Sequence, residues 1–113
     1  MKKKLKSELL EIVNRWNDNK LSELDVLNKS EQILENIKGY SYEPDSIELK
    51  ILHNLEILHH QLITKQDIPF ILECINADKE RNKETLSKWD NYLDKIDYEE
   101  RRRVLKNNPF YSI

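Results

Sequence analysis

Residues 45–63 read DSIELKILHNLEILHHQLI, and this stretch decides the fold. Asp45 followed three residues later by Glu48 is a helix-start signature, because the first turn leaves backbone N–H groups that a short acidic side chain can accept from. The apolar residues that follow, Ile47, Leu49, Ile51, Leu52, Leu55, Ile57, Leu58 and Leu62, fall on more than one stripe of a helix. A helix touched on several sides shows that pattern, so the sequence predicts a central helix from Asp45 to about Ile63.

Working outward, the preceding Tyr40-Ser41-Tyr42-Glu43-Pro44 has no helical period and reads as a loop. Before it, Leu5, Leu9, Ile12, Val13 and Trp16 step by three and four, which predicts helix one over Lys3 to Asn17. Ser22 and Asp25 form a capping box that opens helix two. Its apolar residues run through Leu24, Leu27, Ile33, Leu34 and Ile37 to Lys38-Gly39, where glycine in the left-handed conformation would close the helix. Beyond the central helix, Asp67 is a cap for a fourth helix carrying Pro69 in its first turn and Phe70, Ile71, Leu72, Cys74 and Ile75 behind it. Leu86, Trp89, Leu93 and Ile96 predict a fifth helix. Asp97 with Glu100 starts a sixth, which stops around Asn107-Asn108-Pro109.

An offset of 42 residues aligns Leu5, Leu9, Leu10, Val13, Trp16, Leu21, Val26 and Ile33 with Ile47, Ile51, Leu52, Leu55, Leu58, Ile63, Ile68 and Ile75, and Ser22 and Asp25 with Thr64 and Asp67. Two helical hairpins of similar architecture account for this. The fold expected is all-α: a single compact bundle of five to six helices over residues 1–113, two related hairpins followed by C-terminal helices.

Composition agrees. Of 113 residues only one is Gly and three are Pro, against 35% charged and 38% apolar, too few turn formers for a sandwich or barrel. A single cysteine, Cys74, permits neither an internal disulfide nor a CxxC metal site. The basic start Met1–Lys6 is followed by Glu8, Glu11, Asn14 and Arg15 in place of an apolar signal region, and no run approaches the length of a membrane span. The expectation is a cytoplasmic protein with no membrane partner.

No residue set requires catalysis or a cofactor. His53, Glu56 and His60 share a helical face and could chelate a metal, but the plainer reading is of bundle histidines bonded to neighbours, and no metal ligand is assigned. Cys74 among Leu72 and Ile75 reads as a small buried hydrophobe rather than a nucleophile. Gly39 stands alone, so no glycine-rich loop cradles a phosphate. The expectation is a protein that is not an enzyme.

Net charge is −2, yet it is unevenly spread: residues 1–20 carry +3, residues 21–77 carry −6 and residues 78–113 carry +1. Acids gather around the loop that carries Tyr40 and Tyr42. Glu35, Tyr40, Tyr42, Glu43, Asp45 and Glu48 are therefore the candidate partner-binding residues, the rings as rigid contact area and the carboxylates steering a basic protein. An equally available reading has the acids capping helices and the tyrosines folded under the loop.

The order Trp16, Leu21-Ser22, Asp25-Val26, Pro44-Asp45, the Ile51–Leu58 run, Ile63-Thr64 and Asp67-Ile68-Pro69 resembles the small all-helical immunity proteins of bacterial toxin systems, the colicin-immunity-like and contact-dependent-inhibition types. The resemblance spans residues 9–75 and rests on spacing and style. It implies an antidote that binds a cognate toxin domain with a basic surface, often a nuclease, and blocks its active site. The alternative is a homodimeric regulatory or scaffolding bundle joined through the charged fifth helix. A third reading, nucleic-acid binding through Arg101-Arg102-Arg103, is disfavoured by the small basic footprint and the adjacent Glu99-Glu100.

Overall fold

The run 47–63 does not form one helix. In the computed structural model, which describes residues 2–111, α3 spans Ile47–Glu56 and a single further turn, α4, spans Leu58–Gln61. Ile57 leaves helical geometry at φ −123°, and Leu62 closes α4 in the left-handed region at φ 53°. The break lets Leu55, Leu58, Leu62 and Ile63 all bury, while Ile57 stays 37% exposed. The other helices are α1 (Leu5–Asn17), α2 (Glu23–Glu35), α5 (Ile68–Ile75), α6 (Asn82–Asp94) and α7 (Tyr98–Leu105). The all-α bundle stands, with seven helices among the described residues because the central one is split.

Several local expectations change for identifiable reasons. Lys3–Lys4 (β1) leave helix one to pair in parallel with Tyr40–Ser41 (β2), Lys3 opposite Tyr40 and Lys4 opposite Ser41. Helix two stops at Glu35, and a 3₁₀ turn over Ile37–Gly39 follows. Gly39 does not have positive φ; its N–H donates to the Asn36 carbonyl at 2.9 Å, which closes the turn without the left-handed conformation. Ser46, not Asp45, caps α3, its hydroxyl accepting from the Leu49 N–H at 3.3 Å. Pro69 stands in the first turn of α5 and Asp97 accepts from the Glu100 N–H at 3.1 Å, both as expected.

The offset of 42 residues holds in three dimensions. α1 starts at Leu5 and α3 at Ile47, and every member of both aligned apolar sets is buried except Leu10, which is half-buried. The predicted capping box of Ser22 with Asp25 forms, but Asp67, expected to cap α5, makes no side-chain cap bond to that helix and instead completes a box with Thr64 one turn earlier. α1 packs on α2 and α3 on α5 within each half, while α1 touches α5 and α2 touches α3 between halves. Each half alone would expose one apolar face, and this exchange covers both.

α6 closes the open side. Trp89 is fully buried, its indole N–H donates to Asn54 on α3 at 2.8 Å, and its ring stacks with Phe70 and Tyr92 at centroid distances of 6.1 and 6.0 Å. α7 buries no residue completely and is held instead by polar contacts. Arg101 reaches back to Asp67 with two nitrogens, at 2.7 and 2.8 Å, and to the Leu62 carbonyl at 2.9 Å. With its amide oxygen turned to the guanidinium, Gln66 accepts two more bonds at 2.8 and 3.1 Å. Asp67 also accepts from the Tyr92 hydroxyl, and the Tyr111 hydroxyl donates to the Ile63 carbonyl at 2.6 Å. Phe110 and Tyr111 thus pack back onto the α4–α5 turn.

Candidate functional site

The loop between β2 and α3 is built to be stiff. Tyr40 and Ser41 are pinned by the parallel ladder, and the Ser46 N–H donates to the Glu43 carbonyl at 3.1 Å. Asn82, at the start of α6, grips the loop's far end twice: its amide NH₂ donates to the Asp45 carbonyl at 2.7 Å and its oxygen accepts from the Ile47 N–H at 3.0 Å. Tyr42–Asp45 therefore project from a fixed frame.

Beside this loop lies a cleft of about 590 Å³, walled by Tyr42–Glu48, by Lys4–Lys6 where β1 passes into α1, and by Ala77–Lys79 with Asn82 and Thr85. Four of the six predicted partner-binding residues meet here: Tyr42, Glu43, Asp45 and Glu48. Tyr42 is 38% exposed. Because Ser46 performs the capping, the Asp45 carboxylate is left exposed, and neither it nor Glu43 nor Glu48 has an ion pair or side-chain hydrogen bond among the described residues.

The other two residues go elsewhere. Glu35 ends α2 in solvent and does not line the cleft. Tyr40 is half-buried against the core, beside a separate depression with Arg15 and Lys29. The charge partition of the chain also changes meaning in space. Lys4, Lys6 and Lys79 share the cleft with Glu43, Asp45, Glu48 and Asp78, so this is a mixed surface and not the uniformly acidic one that residue order suggests. Asn82, the residue that stiffens the rim, lies 37 positions from its acceptor at Asp45 and left no signal in the sequence.

The remaining candidates are accounted for by packing. Asp25 is a structural cap, as one of the two sequence readings has it; the Ser22 N–H and then the Ser22 hydroxyl hold its carboxyl below the usual carboxylate range. Cys74 is 2% exposed and burial pushes its thiol up to about 11, which keeps it protonated and unreactive at neutral pH. His53 pairs with Glu56 at 3.7 Å, whereas His60 belongs to α4 beyond the Ile57 break. Among the described residues no group of three or more His, Cys, Asp or Glu is arranged to hold a metal. No described helix is long and apolar enough to cross a membrane. Of the three consecutive arginines, Arg101 is consumed by Asp67 and Arg103 pairs with Glu100, which leaves Arg102.

No family model, curated protein or solved structure matches this chain.

Proposed function

We propose that this chain is a protein-binding module whose working face is the cleft rimmed by Tyr42, Glu43, Asp45 and Glu48, and that its partner is a bacterial toxin domain that it neutralises by covering the active site. The observation that carries the reading is the set of three carboxylates without ion partners among the described residues, beside a loop that Asn82 and the β1–β2 ladder hold in place. A pre-ordered rim binds without the cost of ordering a loop, and unpaired carboxylates at its edge attract cationic groups from a partner. Tyr42 supplies exposed aromatic area between them. The resemblance of residues 9–75 to helical immunity proteins supplies the kind of partner, a cognate toxin with a basic active-site surface.

The lysines in the cleft refine the mechanism. Lys4, Lys6 and Lys79 stand beside the acids, so the partner surface that fits is patterned, with cationic groups opposite Glu43, Asp45 and Glu48 and a carboxylate opposite the lysines. Such patterning serves selection of one cognate partner more than general attraction to basic proteins.

The test is co-expression with the variable C-terminal domain of a large secreted protein encoded upstream of this gene. Restored growth together with recovery of a one-to-one complex is expected. Continued killing while this chain accumulates in soluble form, or a gene neighbourhood without such a protein, removes the reading. In the complex, the double variant Glu43→Lys with Glu48→Lys should slow association at least about tenfold at low salt, since rim charges act mainly on the on-rate. Unchanged association would place the interface on another face.

A further inference from the structure

A second depression, of about 370 Å³, lies at the other end of the molecule, between α4 and the C-terminal segment. His59 and His60 come from α4, Arg102 from α7, and Lys106 and Tyr111 from the segment after it; Leu62 and Leu105 complete the wall. Among the described residues its lining contains no acidic side chain, in a chain that has 21 acidic residues to place. Arg102 has no ion pair or hydrogen-bond partner among the described residues, although Arg101 and Arg103 on either side are both committed to carboxylates. The Nδ1 atom of His59 is buried and has no partner among the described residues.

We propose that this depression is a binding site for the phosphate group of a small phosphorylated molecule. A phosphate monoester carries between one and two negative charges at neutral pH and offers three strong acceptor oxygens. Arg102 presents a planar fork suited to two of them, and the rings of His59 and His60, with centroids 3.9 Å apart, form the adjoining wall. The volume exceeds that of a bare phosphate and leaves room for a small organic body against Leu62, Leu105 and the Tyr111 ring. A carboxylate, with two oxygens and one charge, would leave part of this donor set unused. The site is distinct from the cleft at Tyr42–Glu48 and does not depend on the function proposed for it.

The polar groups that line the depression with the histidines are Arg102, Lys106 and Tyr111, and the Phe110 ring packs on His59 at a centroid distance of 5.8 Å. An anion placed among them favours the protonated imidazole, so occupancy should raise the midpoint at which His59 titrates. The probe is inorganic phosphate, followed by NMR of the histidine ring protons at constant ionic strength, with acetate and chloride as comparison anions. Saturable shifts of His59 and His60 with phosphate, a raised His59 midpoint and weaker response to acetate are expected. Arg102→Ala should weaken phosphate binding at least about tenfold, while Arg103→Ala, one residue away and already paired, should leave it unchanged. Both variants alter an exposed side chain, so the fold is expected to persist. No saturable shift, an equal response to all three anions, or equal losses in the two arginine variants overturns the assignment.

Discussion

The two capping boxes are the same motif 42 residues apart and do different work. At Ser22 and Asp25 the reciprocal bonds are local and exposed, and among the described residues no hydrogen bond or ion pair ties their side chains to another helix. At Thr64 and Asp67 the box has the same form, with the Asp67 carboxylate accepting from the Thr64 N–H at 2.9 Å, but Asp67 is fully buried and also takes Arg101 and Tyr92. One box starts a helix. The other starts a helix and fastens the C-terminal third to the core. The difference comes from the surroundings, since Asp67 sits under α7 and Asp25 under solvent.

The largest expected effect tests the buried box. Arg101→Ala leaves the Asp67 carboxylate enclosed with its counter-charge removed, and loss of one partner from a buried pair costs about 3–5 kcal/mol. Chemical denaturation should register that loss, and the double variant Arg101→Ala with Asp67→Ala should lose much less than the sum of the singles. Additive losses would mean the two residues act independently and would break the comparison. Ser22→Ala is the matching test of the exposed box and should cost about 0.5–2 kcal/mol by the same measurement, the usual penalty for removing an N-cap. If Ser22→Ala equalled Arg101→Ala, the exposed box would be carrying more than its own helix.

What the sequence made legible, and what it hid, divides along the same line. The Ser22 box, Pro69 in the first turn of α5 and the Asp97 cap are local patterns, set by bonds within three or four residues, and were readable, whereas Asp67 reads as the cap of α5 and in the fold bonds back to Thr64. The break at Ile57 has no proline or glycine to announce it; the packing of Leu58, Leu62 and Ile63 imposes it from outside. Arg101 lies within a run of three arginines that reads as exposed, because its partner is 34 residues away. At the candidate cleft, Tyr42, Glu43, Asp45 and Glu48 were found as neighbours along the chain. Glu35 and Tyr40 are neighbours along the chain too, but the 3₁₀ turn and the β1–β2 ladder take them off the cleft. Lys4, Lys6 and Asn82 join it through pairings that only the folded chain creates.

Acid sharpens the contrast between the two ends most gently. Burial, and then the neighbouring His60, hold His59 below its ordinary value of 6.5 in the folded protein. The unfolded chain therefore takes up that proton more readily, so the stability linked to His59 is complete above about pH 6.5 and is lost as pH falls through the folded value. Asp25 is held below its ordinary 3.8 by Ser22, so its contribution persists until pH falls below that range. Since Phe110 packs on His59, the segment around residues 98–111 should loosen in mild acid while the Ser22 end of the bundle remains intact. Hydrogen exchange at pH 7 and pH 5.5, corrected for intrinsic rates and run in phosphate-free buffer to keep the proposed anion site from contributing, should show faster opening of the C-terminal amides relative to those of α2. The variant His59→Gln cannot take up the proton and should remove most of that pH dependence; if it persists undiminished, the acid-sensitive contact lies elsewhere.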